Sequence, residues 1–111
     1  MIAGIDIGGT TTDIIGLREG SLVDPLTVKA DDPLASAAGA LGKFVSERGI
    51  RLDEIRKVAV TGVGASRLGG DLLGIPTERV SEFNAIGTGG SYLSGKDKAV
   101  VVSMGTGTAV V

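Results

Sequence analysis

Ile2-Ala3-Gly4-Ile5-Asp6-Ile7-Gly8-Gly9-Thr10-Thr11-Thr12 is the stretch that decides how this chain folds. Ile2 to Ile7 is a short run rich in β-branched apolar residues, and Gly8-Gly9 stops it, so it reads as a largely buried strand entering a tight turn. Strand character resumes from Thr12 to Leu17. Arg18-Glu19-Gly20-Ser21 makes a second turn, and Leu22 to Val28 runs back as a third strand, with Pro25 favouring a sheet edge because proline lacks the ladder N–H. Strands joined this closely form an antiparallel meander.

Beyond the meander, Asp32 followed by Pro33 is an N-cap with proline at the first helical position. Leu34, Ala37, Ala38, Leu41, Phe44 and Val45 then recur at helical spacing until Gly49. Lys57 to Thr61 is a fourth strand, which the intervening helix allows to lie parallel to a neighbour. A glycine turn and a short helix over Ala65 to Leu73 follow, ended by Gly74 and Pro76. Arg79-Val80-Ser81 is a brief fifth strand, and Glu82 to Leu93 a helix capped by Ser81. Its Gly87, Gly89 and Gly90 cost helix propensity, so either another backbone packs closely there or the helix breaks. Gly95-Lys96-Asp97-Lys98 is a turn, Ala99 to Met104 a strand, and Ala109-Val110-Val111 begins another after Gly105-Thr106-Gly107-Thr108.

A chain of 111 residues fits one small domain, and at that size the core is modest. Phe44, Phe83 and Tyr92 are its only aromatics, so base stacking on nucleic acid is poorly supplied. Eleven basic and thirteen acidic residues give a net charge of −2 without a run of either sign, which argues against nucleic-acid and anionic-membrane partners. The lack of cysteine and histidine removes disulfides, thiolate chemistry and the usual general base. Any chemistry must use carboxylates, hydroxyls, Lys, Arg or backbone amides. Neither a signal peptide nor a long apolar span is visible, so the expected location is cytoplasmic. The nineteen glycines cluster after strands, which suits turns and close backbone approach rather than a flexible linker.

Asp6 is the residue of chemical interest in the first unit. It reads as a buried carboxylate at a strand end, beside a loop of backbone N–H groups and Thr hydroxyls. There it could hold Mg²⁺, directly or through water, while Gly8, Gly9, Thr10, Thr11 and Thr12 accept phosphate oxygens. The alternative is that Asp6 caps a tight turn. The second strand-turn-strand unit, with Gly105, Thr106, Gly107 and Thr108, shifts the balance, because two such hairpins can clamp a polyphosphate from both sides. No Walker loop competes, since Lys43 is followed by Phe44, and Gly62-Val63-Gly64-Ala65-Ser66-Arg67 lacks the last glycine of a dinucleotide fingerprint. Glu82 could orient an acceptor hydroxyl and take its proton, or could stabilise a helix N-terminus.

Taken together, Gly4-Ile5-Asp6-Ile7-Gly8-Gly9-Thr10, Thr61-Gly62-Val63-Gly64-Ala65, Ser81-Glu82-Phe83-Asn84-Ala85 and Ser103-Met104-Gly105-Thr106-Gly107-Thr108 resemble the type II pantothenate kinases. The resemblance implies an α/β fold: a ribonuclease H-like (actin-like ATPase) N-terminal domain, its antiparallel meander extended by parallel strands with helices packed on the sheet. It implies transfer of the ATP γ-phosphate to the 4′-hydroxyl of pantothenate in coenzyme A synthesis, with ATP and Mg²⁺ as cofactors and a homodimeric full-length parent. Asp6 would lie at the metal site, Glu82 would be the catalytic carboxylate, and Gly62, Gly64 and Arg67 would lie near the substrate. Residues 1–96 would be the N-terminal domain and 97–111 the first hairpin of a truncated second one, so the chain alone is expected to show little kinase activity. Asp13 stands where these kinases usually carry Lys, and Thr-Asp there is more like hydantoinase-type or oxoprolinase-type relatives. A truncated module that dimerises or binds nucleotide weakly is the non-catalytic alternative. ATPase activators of radical dehydratases are a third reading, but their iron–sulfur cluster needs cysteine.

Overall fold

The computed structural model describes residues 1–95, 102–104 and 108–111, and the chain divides into two compact units, Met1–Arg79 and Val80–Val111. In the first, Ile2–Ile7 (β1), Thr11–Arg18 (β2), Ser21–Lys29 (β3), Lys57–Thr61 (β4) and Thr77–Arg79 (β5) form one sheet, in the order β3-β2-β1-β4-β5. The meander β1-β2-β3 is antiparallel, while β4 runs parallel to β1 and β5 parallel to β4. Pro25 does sit on an edge strand, and a β-bulge opposite Ile15 absorbs it.

Helix α1, Pro33–Arg48, makes the crossover from β3 to β4. Asp32 Oδ2 accepts from the Ala35 N–H at 3.0 Å, and Gly49 ends the helix in the left-handed conformation, with the Ile50 N–H reaching the Val45 carbonyl at 2.9 Å. Its buried face, Ala37, Ala40, Leu41, Phe44 and Val45, packs on Ile5, Ile7, Ile14, Val58 and Val60 from the sheet. Removing this apolar surface from water is the main force holding the unit together.

The opposite face of the sheet carries the alternate side chains, and there the structure corrects the reading of Asp6 as buried: its side chain is exposed. Ile2, Leu17 and Leu22, in register across β1, β2 and β3, are also exposed on that face. Ile2 therefore puts an apolar residue on the exposed face of β1 as well, which is why its sequence reads as a largely buried strand.

Two further expectations shift. The short helix over Ala65 to Leu73 is only a 3₁₀ turn at Ala65–Arg67. From Asp71 onward the backbone is instead held by side chains, with the Thr77 N–H donating to Asp71 Oδ1 at 3.0 Å and the Leu72 N–H to Thr77 Oγ1 at 2.9 Å. That anchoring places β5 at Thr77–Arg79 rather than Arg79 to Ser81.

The second unit contains helix α2, Glu82–Ser94, and a hairpin of Val102–Met104 (β6) with Thr108–Val110 (β7). Helix α2 runs unbroken through its glycines, and a Cβ at Gly87 would lie 2.8 Å from Val111 Cγ1. No helix among the described residues is long and apolar enough to cross a membrane.

Candidate functional site

The polar end of the first unit lies at the C-terminal edge of β1 and β4. Ligands of open α/β sheets bind outside such carboxyl ends. On the face away from α1, Asp6 pairs with Asp13 on one side and Thr61 on the other, and Asp13 pairs with Thr27. Thr27 Oγ1 donates to Asp13 Oδ1 at 2.6 Å, fixing that carboxylate. Two carboxylates directly opposite each other repel, and in an antiparallel pair their Cβ atoms stand about 4.5–5.5 Å apart. A divalent cation relieves that repulsion, and Mg²⁺ is commonly held by one or two carboxylates together with substrate phosphates. The donor set therefore fits Mg²⁺. Among the described residues no group of three or more metal-ligating side chains occurs, so bound phosphate and water would complete the coordination.

Two glycine turns flank Asp6. The Gly8 N–H donates to the Thr11 carbonyl at 3.0 Å, closing the β1-β2 turn, and the Ala30 N–H ties Thr10 to the end of β3 at 2.9 Å. A Cβ at Gly8 would stand 2.7 Å from the Thr11 carbonyl oxygen, so glycine is required there. After β4, Gly62 turns at φ +94° and the Gly64 N–H donates to the Ile7 carbonyl at 2.9 Å, folding this second turn over the end of β1. The structure thus brings Asp6, Gly8, Gly62 and Gly64 together, with Gly9, Thr10 and Thr11 in the adjoining hairpin. Arg67 is exposed on the 3₁₀ turn that follows.

Other expected site residues part from this group. Thr12 points to the core side and is fully buried beside Ile14, so its hydroxyl is turned away from any phosphate on the Asp6 face. Among the described residues, Thr12 Oγ1 has no hydrogen-bond partner. Thr12→Val should therefore raise unfolding free energy by about 1 kcal/mol, since it removes an unsatisfied buried hydroxyl at constant volume. A urea titration reads that gain, and nucleotide affinity should not change. Loss of affinity would return Thr12 to the phosphate-binding set.

Glu82 belongs to the second unit, exposed in the first turn of α2, where Ser81 Oγ caps the helix by accepting from the Asn84 N–H at 3.2 Å. Gly105, Thr106 and Gly107 lie outside the described residues, and Thr108 begins β7. Thr27 escaped the sequence reading altogether. A shallow depression of about 440 Å³ between Arg51, Leu52, Leu73 and Ile75 lies at the opposite end of β4 and β5. Its charges, Arg51 and Asp53, pair with each other at 2.7 Å.

No protein-family model and no curated protein matches the sequence. Solved structures do match. Component A of the (R)-2-hydroxyglutaryl-CoA dehydratase of Acidaminococcus fermentans superposes with a TM-score of 0.76 at 22% identity, over 91% of this chain and 38% of that one. The activator of the 2-hydroxyisocaproyl-CoA dehydratase of Clostridium difficile, solved with bound ADPNP, gives 0.68 at 24% identity, over 82% and 32%. A candidate N-acetylglucosamine kinase from Porphyromonas gingivalis gives 0.59 at 21% identity, over 99% and 43%. This is the actin-like ATPase fold. The chain spans roughly a third to two-fifths of the length of the two dehydratase proteins.

Proposed function

We propose that this chain is the phosphate-binding part of an ATP-dependent phosphotransfer enzyme. The observation that carries the reading is the placing of Asp6, exposed at the carboxyl end of β1, beside the Gly8 turn and under the Gly62–Gly64 turn. In it, Gly8 closes the turn through its own N–H, the amides of Gly9, Thr10 and Thr11 would receive phosphate oxygens, and Asp6, seconded by Asp13, would hold Mg²⁺. When bound, Mg²⁺ neutralises phosphate charge during transfer. The ADPNP bound to one structural neighbour supports ATP as the nucleotide.

The acceptor in this reading is a small alcohol, and the four-motif resemblance favours pantothenate. Glu82 orients its hydroxyl and accepts the proton, and Arg67 offers a cation to the acceptor's carboxylate. The test is formation of 4′-phosphopantothenate from ATP and pantothenate by the protein at its native length. Glu82→Gln should slow turnover about 100-fold or more, the lower end of the range for general acid–base help. Normal turnover in that variant would remove Glu82 from the chemistry. Asp13 in register with Asp6 favours a second reading, an ATP-hydrolysing relative of the hydantoinase or oxoprolinase type. ATP consumption that pantothenate does not stimulate would favour that one.

A further inference from the structure

We propose that Gly62 is a positioning residue for Asp6, acting on the orientation of its carboxylate rather than on a substrate. The inference rests on the reading of Asp6 as the metal-holding carboxylate. Gly62 takes φ +94°, a conformation that side chains other than glycine's rarely adopt, immediately after the β4 residue paired with Asp6. A Cβ built there would collide with Asp6 Oδ1 and would stand 2.6 Å from the Ile7 carbonyl oxygen. The carboxylate therefore occupies the space that any larger residue at position 62 would fill. Asp13 closes the other side of the same strand. The backbone of Gly62 acts as a wall against which one orientation of Asp6 rests.

Gly64 provides the internal control. A Cβ at Gly64 would collide with Ile7 Cγ2 and stand 3.3 Å from the Ile7 carbonyl oxygen, and Asp6 is not among its nearest neighbours. Both substitutions thus load the same turn against the same end of β1, but only one meets the carboxylate. Residues that orient a metal ligand typically change metal affinity by about 10–100-fold when altered.

The experiment has two readouts on the 111-residue chain. Three-bond couplings report the Asp6 χ1 rotamer without any ligand, and electron paramagnetic resonance reports Mn²⁺ uptake in the presence of AMP-PNP. We expect one Asp6 rotamer in the unmodified chain, retained in Gly64→Ala and lost or changed in Gly62→Ala. Mn²⁺ uptake should weaken about tenfold or more in Gly62→Ala, with no further loss when Gly62→Ala is added to Asp6→Asn. Equal rotamer changes in both glycine variants, or none in Gly62→Ala, overturn the inference. So does rotamer averaging in the unmodified chain, a measurement that stands even if Gly62→Ala does not fold. If the rotamers behave as expected but Mn²⁺ uptake is the same in the unmodified chain and in Asp6→Asn, the positioning holds and the metal reading of Asp6 fails.

Discussion

Asp6→Asn is expected to weaken Mg²⁺-dependent binding of AMP-PNP about 100-fold, while leaving metal-free nucleotide binding no weaker. Both effects come from one charge. A carboxylate and a divalent cation about 4 Å apart attract by about 2 kcal/mol in water and about 8 kcal/mol at the effective dielectric near a protein surface. At 1.4 kcal/mol per tenfold, an exposed carboxylate lost from a metal site falls between those limits at roughly two decades. In the metal-free chain the same carboxylate faces Asp13 directly across the β1-β2 pair, a like-charge arrangement that costs roughly 0.2–1 kcal/mol. Asparagine keeps the size of the side chain and removes that repulsion. Isothermal titration with and without EDTA separates the effects: the Asn variant should lose the Mg²⁺ dependence and bind metal-free nucleotide at least as well as the parent. An unchanged affinity with Mg²⁺ present would remove Asp6 from the metal site.

Why Thr27 could not be found beforehand shows where sequence reading stops. The hairpin closed at Gly8 and Thr11 sets Asp6 opposite Asp13 by simple alternation, so that pair is legible once the turn is recognised. The second hairpin begins as regularly, with Arg18 opposite Ser21 and Gly16 opposite Val23. Continued without interruption it would put Leu26 opposite Asp13. The extra residue near Pro25 shifts the register by one and brings Thr27 to Asp13 instead. Pro25 announces an edge or a bulge without saying which residues slip. That Thr12 faces inward was not legible for a related reason. In a run of three threonines nothing local says which one first enters the ladder, and with β2 starting at Thr11 the next side chain turns inward. The meander, α1 with both caps and the parallel β4 were legible because turn chemistry and periodicity agree there. The segment after β4 was not, because its backbone is fixed by Asp71 and Thr77 through side-chain bonds to residues five and six positions away that no period records.

Phe44→Ala should be the most damaging substitution in the first unit, costing about 3–5 kcal/mol by the behaviour of buried aromatic residues cut back to alanine. Small domains are stable by only about 5–15 kcal/mol in all, so a large part of the margin would go. The ring is fully buried and fills the space over β2 that Gly16 leaves open, since a Cβ at Gly16 would stand 2.9 Å from Phe44 Cζ. Above the ring, the Arg48 guanidinium lies 4.4 Å from its centroid and donates to the Pro25 carbonyl at 3.2 Å. Phe44 therefore supports the bulged part of β3, and the bulge is what delivers Thr27 to Asp13. The loss should show in a urea titration, and amide exchange should quicken most along β3. Phe44→Leu, which refills part of the space, should cost much less. If Phe44→Ala cost under about 1 kcal/mol, the site's register would have to be held by the strand ladder alone, because the collapse expected of a well-packed core would not have been felt.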